Sequence, residues 1–68
     1  MPIITFEGES LTKDQKEELV HRFTETASEV TGVPKQFFVM SIRENHAENL
    51  GFGGETVEEL KKRHLQER

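Results

Sequence analysis

The chain has 68 residues, with 9 Lys and Arg against 13 Asp and Glu, a formal charge of −4, and no cysteine. Disulfides and thiolate zinc sites are therefore excluded, and the acidic balance argues against a nucleic-acid partner. A chain this short, read as a single domain over residues 1–68, buries only about 60% of its unfolded surface and needs a staple, which here leaves partner subunits.

No apolar run approaches the ~18 residues of a membrane span, and no charged-then-apolar leader opens the chain. The expectation is a cytoplasmic protein with no membrane partner. His21, His46 and His64 are widely spaced and match no metal-ligand pattern.

Pro2 follows the initiator methionine directly. Proline has no backbone N–H to donate and is a poor start for most strands. Methionine is normally clipped before a small residue, which would make Pro2 a secondary amine at the start of a strand and a candidate catalytic base. Ile3-Ile4-Thr5-Phe6 are β-formers closed by Glu7-Gly8, so the first strand is placed there.

Thr12 with Gln15 three residues on fits a capping box. Asp14 in the first turn suits the helix dipole. The helix is predicted over Lys13 to Thr31, with Leu19, Val20, Phe23, Ala27 and Val30 as one apolar stripe. Gly32 is placed as the left-handed terminator, and Pro34 prevents continuation.

The second strand is predicted over Phe37 to Arg43. Its two parities differ: Phe38, Met40 and Ile42 form an apolar face for the helix, whereas Phe37, Val39, Ser41 and Arg43 form a mixed face. Two large apolar groups on that mixed face imply a second burial partner, most simply another subunit. Two strands around one long helix give a β-α-β unit with a parallel, right-handed crossover. Glu44 to Asn49 reads as polar loop, Leu50-Gly51-Phe52-Gly53-Gly54 as a tight turn or small hairpin, and the charged segment Glu55 to Arg68 as a short, fraying, solvated helix from near Thr56.

Two strands and one helix are not a stable globule. Two copies pairing edges would form a four-stranded sheet with two helices on one face. The mixed face would stay open, so dimers should associate further.

Met1-Pro2-Ile3-Ile4, Gln15-Lys16-Glu17, the Val33-Pro34 break and Asn49-Leu50-Gly51-Phe52-Gly53-Gly54 occur in this order over most of the chain. Together they resemble the tautomerase superfamily, in particular its short 4-oxalocrotonate tautomerase-like subunits. The resemblance implies an α+β fold, a hexamer built as a trimer of dimers, no metal or organic cofactor, and the amino-terminal proline as general base or acid. It also exposes departures. The best-known members carry an arginine just before the helix cap, a second arginine inside the second strand and an aromatic before the Gly-x-Gly-Gly turn. Those positions are Leu11, Val39 and Leu50 here.

The implied reaction is keto–enol proton transfer on a small 2-oxo acid or conjugated carbonyl such as 2-hydroxymuconate, with Pro2 as the shuttle. Ile3, Val39, Leu50 and Phe52 would supply the apolar surround that disfavours the ammonium form. Arg43 is the candidate for anion binding or enolate stabilisation, set against a plain strand-end charge, and Ser41 is a candidate donor. Lys35 and His46 read as solvated loop groups. Gly51, Gly53 and Gly54 read as turn formers before they read as an anion nest. A lyase or dehalogenase using Pro2 as an acid belongs to the same enzyme class. The reading from another class is a catalytically retired oligomeric binding or scaffold protein, motivated by the missing arginines.

Overall fold

The structure, a computed structural model, describes residues 1–66. Strand β1 (Ile3–Gly8) leads into helix α1 (Lys13–Thr31), and a 3-10 turn over Lys35–Phe37 precedes strand β2 (Val39–Glu44). A second 3-10 turn (Ala47–Asn49), strands β3 (Gly51–Phe52) and β4 (Glu55–Thr56) and helix α2 (Val57–Gln66) follow. β1 and β2 pair in parallel, from Ile3 opposite Val39 to Gly8 opposite Glu44. This is the expected β-α-β unit, with α1 as the crossover.

The ends of α1 follow from local chemistry. Thr12 Oγ1 accepts from the Gln15 N–H at 3.1 Å, and the Thr12 N–H donates to Gln15 Oε1 at 2.9 Å, completing the capping box. Gly32 takes φ 77°, and its N–H donates to the Ser28 carbonyl at 2.9 Å, the turn that only a residue without Cβ adopts at no steric cost. Ser28 Oγ then donates to the Val33 carbonyl at 2.7 Å and fixes the exit of the chain.

The second strand starts later than its sequence suggests. The Phe37 and Phe38 N–H groups donate to Pro34 and Lys35 carbonyls at 3.1 and 3.0 Å. With those donors spent in a 3-10 turn, ladder pairing begins at Val39. β1 in turn runs to Gly8, whose carbonyl accepts from the Asn45 N–H at 2.8 Å.

Exposure alternates along residues 1–8, with Pro2, Ile4, Phe6 and Gly8 on the more covered side. That side faces α1: the Phe6 and Phe23 rings lie 6.4 Å apart, tilted by 49°. Met40 and Ile42 sit opposite Ile4 and Phe6 and share the face. The predicted helix stripe holds for Leu19 and Ala27 but not for Val30, which is 80% exposed. The reason is length: 19 helical residues run about 28 Å, whereas a six-residue strand runs about 20 Å. The last turn of α1 overhangs the sheet.

β3 and β4 form a two-residue hairpin with Gly53 and Gly54 at φ 62° and 89°, as a turn with both central residues left-handed requires. Thr56 caps α2, its Oγ1 accepting from the Glu59 N–H at 3.1 Å. The charged face is solvated as expected, with Glu58, Glu59 and Lys61 to His64 exposed, and surface ion pairs tie it down, Lys61 Nζ to Glu9 Oε1 at 2.5 Å and Arg63 Nη1 to Glu55 Oε2 at 2.6 Å.

Among the described residues none is buried. The accessible surface is 5581 Å², against about 4,400 Å² for a compact chain of this mass. The radius of gyration is 16.1 Å, against about 11 Å. The apolar side chains are arranged in faces, and the sheet face away from α1 has no second layer.

Candidate active site

Pro2 sits immediately before β1. Its carbonyl accepts from the Val39 N–H at 3.0 Å, so one hydrogen bond ties the residue before β1 to the start of β2. Pro2 is partly covered, and the adjoining pair, Ile3 and Val39, is 62% and 42% exposed.

The sheet separates the predicted site residues. Pro2 has the parity of Ile4 and Phe6. Ile3–Val39, Thr5–Ser41 and Glu7–Arg43 are register partners on the other parity. Val39, Ser41 and Arg43 therefore form one row, with Val39 at the Pro2 end and Arg43 at the far end, about 13 Å along the strand. Arg43 lies opposite Glu7 and forms no ion pair among the described residues. Ser41 is half-buried, and its hydroxyl is outside the side-chain hydrogen bonds of the described residues, whose serine member is Ser28.

Leu50 and Phe52 belong to the hairpin, which packs on α2 and the Ala47–Asn49 turn. Leu50 is half-buried and its carbonyl accepts from the Val57 N–H at 2.8 Å, while Phe52 is 76% exposed. Within one chain this pair forms a separate group from Pro2 and the β2 row.

Leu11 lines an open cleft of about 360 Å³ between β1 and α1, with Phe6, Gln15, Glu18, Leu19 and Arg22. Arg22 pairs with Glu18 at 2.5 Å on the rim. The cleft is on the helix side, away from the Val39–Arg43 row. Leu11 thus contributes to an apolar groove rather than to an anion clamp.

A residue the sequence did not single out organises this corner. Glu44 accepts from the Leu11 N–H at 2.9 Å through Oε2 and pairs with Lys16 Nζ at 2.5 Å through Oε1. The hydrogen bond from Lys16, then that from Leu11, holds its pKa below the ordinary carboxylate value. Asn45 Nδ2 donates to Glu7 at 3.4 Å beside it. Only the parallel register, which brings Glu44 opposite Gly8, reveals this role; no linear spacing encodes it.

A family model described as tautomerase enzyme matches residues 2–60. Among solved structures, DmpI from Archaeoglobus fulgidus is 33% identical, with a TM-score of 0.78, covering 84% of this chain and 98% of its own. A structure described by trans-3-chloroacrylic acid dehalogenase activity is 30% identical, with a TM-score of 0.72 and coverage of 81% and 97%. A heterohexamer 4-oxalocrotonate tautomerase from Chloroflexus aurantiacus J-10-fl is 24% identical, with a TM-score of 0.81 and coverage of 88% and 98%. No curated protein matches the chain.

Proposed function

The chain belongs to the tautomerase family, and from that premise we propose that it is a proton-transfer isomerase acting on a small 2-oxo acid or conjugated carbonyl, with Pro2 as the general base and acid. Membership supports isomerase-type activity. The observation that carries the role of Pro2 is its tether to Val39, which fixes the residue at the strand end beside apolar side chains.

The chemistry requires removal of Met1, whose side chain is 86% exposed. The freed Pro2 nitrogen then takes the enol hydroxyl proton. The O–H bond breaks and an N–H bond forms. The carbonyl forms as the electron pair moves to carbon, and the same proton passes from nitrogen to that carbon. A reference α-amine has a pKa of about 7.7–8.0, and apolar surroundings lower it by penalising the ammonium form. Ile3 and Val39 supply that surround in one chain. Leu50 and Phe52 are proposed to reach a neighbouring chain's Pro2 in a homo-hexamer, with Ser41 as the polar member and Arg43 at the far end of the row.

The test is the ketonisation rate of 2-hydroxymuconate, followed by absorbance, on protein whose mass confirms loss of Met1. Pro2→Ala is expected to abolish the rate above background. A rate unchanged by that substitution refutes the proposal. The second reading, a retired scaffold, is favoured by one observation: Leu11 lines the helix-side cleft instead of clamping a ligand. An ordinary exposed-amine pKa for Pro2 would support it; a depressed one supports the enzyme.

A further inference from the structure

We propose that the Pro2 end of the sheet takes an uncharged conjugated carbonyl compound with an apolar body, in preference to the dicarboxylate of the same skeleton. This rests on the proton-transfer reading above and narrows its substrate class. The local surface is made by the register partners Ile3 and Val39, which are 62% and 42% exposed, and neither carries a charge or a polar side-chain atom.

The backbone N–H groups leading into β2 add no anion site there. The N–H groups of Phe37, Phe38 and Val39 already donate to the Pro34, Lys35 and Pro2 carbonyls at 3.1, 3.0 and 3.0 Å. A carboxylate pressed against this surface would lose water and gain no cation, only the one neutral donor of Ser41, which is the costly case for a charged group. Arg43 stands about 13 Å away along β2 and faces Glu7 in the register, so its field is offset by a carboxylate. The chain as a whole carries a formal charge of −4, which further disfavours a dianion.

One neutral donor is well placed. Ser41 lies two residues beyond Val39 on the same face, about 7 Å along the strand, and the half-buried hydroxyl is free to donate to a carbonyl oxygen. The nearest cation in sequence, Lys35, opens the 3-10 turn and is exposed.

Muconate, its monomethyl ester and its dimethyl ester vary charge on one conjugated skeleton and lack the enol, so they are not consumed. Each is titrated into the full, assembled protein without Met1, reading the Ile3 and Val39 methyl resonances. The dimethyl ester is expected to bind tightest, with about a tenfold loss per free carboxylate. Val39→Arg, at a surface-exposed position, is expected to reverse the order.

Tightest binding of the dianion overturns the inference. Tightest binding of the monoester, lost in Lys35→Gln, overturns it in favour of Lys35 as an anion clamp. Binding of none of the three at millimolar concentration also overturns it and assigns the patch to contact between copies of the chain. The 2-hydroxymuconate rate of Pro2→Ala is read separately, so failure of the proline chemistry is distinct from failure of the charge preference.

Discussion

Diluting the protein should unfold it, and the size of the effect can be worked from the structure. The accessible surface of 5581 Å² exceeds that of a compact chain of this mass by about 1,200 Å². Covering that excess would remove more surface per chain than the ~800 Å² per partner of a standard stable interface. With no residue fully buried among those described, the apolar burial still needed to offset chain entropy has to come from association. Unfolding and dissociation should then be one event. For a hexamer, a tenfold dilution costs five-sixths of about 1.4 kcal/mol, or about 1.2 kcal/mol per chain. At about 2.1 cal/mol/K per residue, 68 residues give an unfolding entropy near 140 cal/mol/K, so Tm should fall by about 8 °C per decade of dilution. A dimer would give about 5 °C on the same reasoning. The assay is thermal unfolding by circular dichroism from 1 to 100 μM (on the order of the usual working range), paired with sedimentation. A Tm independent of concentration, with a folded monomer in the centrifuge, would refute the argument.

Two further perturbations test local claims. Glu44→Gln removes the carboxylate that Lys16 and Leu11 stabilise. Because its folded pKa is lowered, its contribution is present above the unfolded carboxylate value of about 4.3 and is lost as pH falls through the folded value. The variant should therefore be less stable at pH 7 and show a shallower loss of Tm below about pH 4.3; an acid profile parallel to the parent's counts against the bridge. Gly54→Ala places a Cβ at φ 89° with no heavy atom within 4 Å, so its cost is backbone strain alone, about 1–2 kcal/mol, read from the thermal midpoint, and a neutral result would show that the hairpin does not hold this conformation in solution.

The parts of the fold that were legible in the sequence are those written by local chemistry. Thr12 and Gln15 marked one end of α1 and Gly32 the other, and both ends fall where the caps put them. The glycine pair at 53–54 similarly announced the hairpin. The start of β2 was misplaced because Phe37 and Phe38 look like strand residues, whereas Pro34 draws their N–H groups into a turn. Val30 belonged to the right periodic stripe, yet its exposure depends on how far the sheet extends beneath the helix, which periodicity does not encode. Pro2 was legible as a candidate from its position alone. Glu44 was not, because its partners Leu11 and Lys16 are 33 and 28 positions away in the chain, a proximity only the parallel register creates.

The missing core and the divided site have one geometric cause. A two-stranded parallel sheet has two faces, and in this chain α1 covers one of them. Pro2 shares the parity of the covered face, whereas Val39, Ser41 and Arg43 lie on the open one, and Leu50 and Phe52 stand apart on the hairpin. The Pro2 nitrogen belongs to the backbone at the strand end, so parity does not part it from Ile3 and Val39, but the length of β2 parts it from Arg43. A second chain placed against the open face would bring another chain's hairpin toward the strand end. Assembly and chemistry are therefore coupled in the proposed enzyme: a substitution that weakens the contact between chains should lower activity in proportion to the assembled fraction, without touching Pro2. Activity per assembled particle that stays constant while total activity falls with dilution is the signature of that coupling, and full activity in a monomer would contradict it.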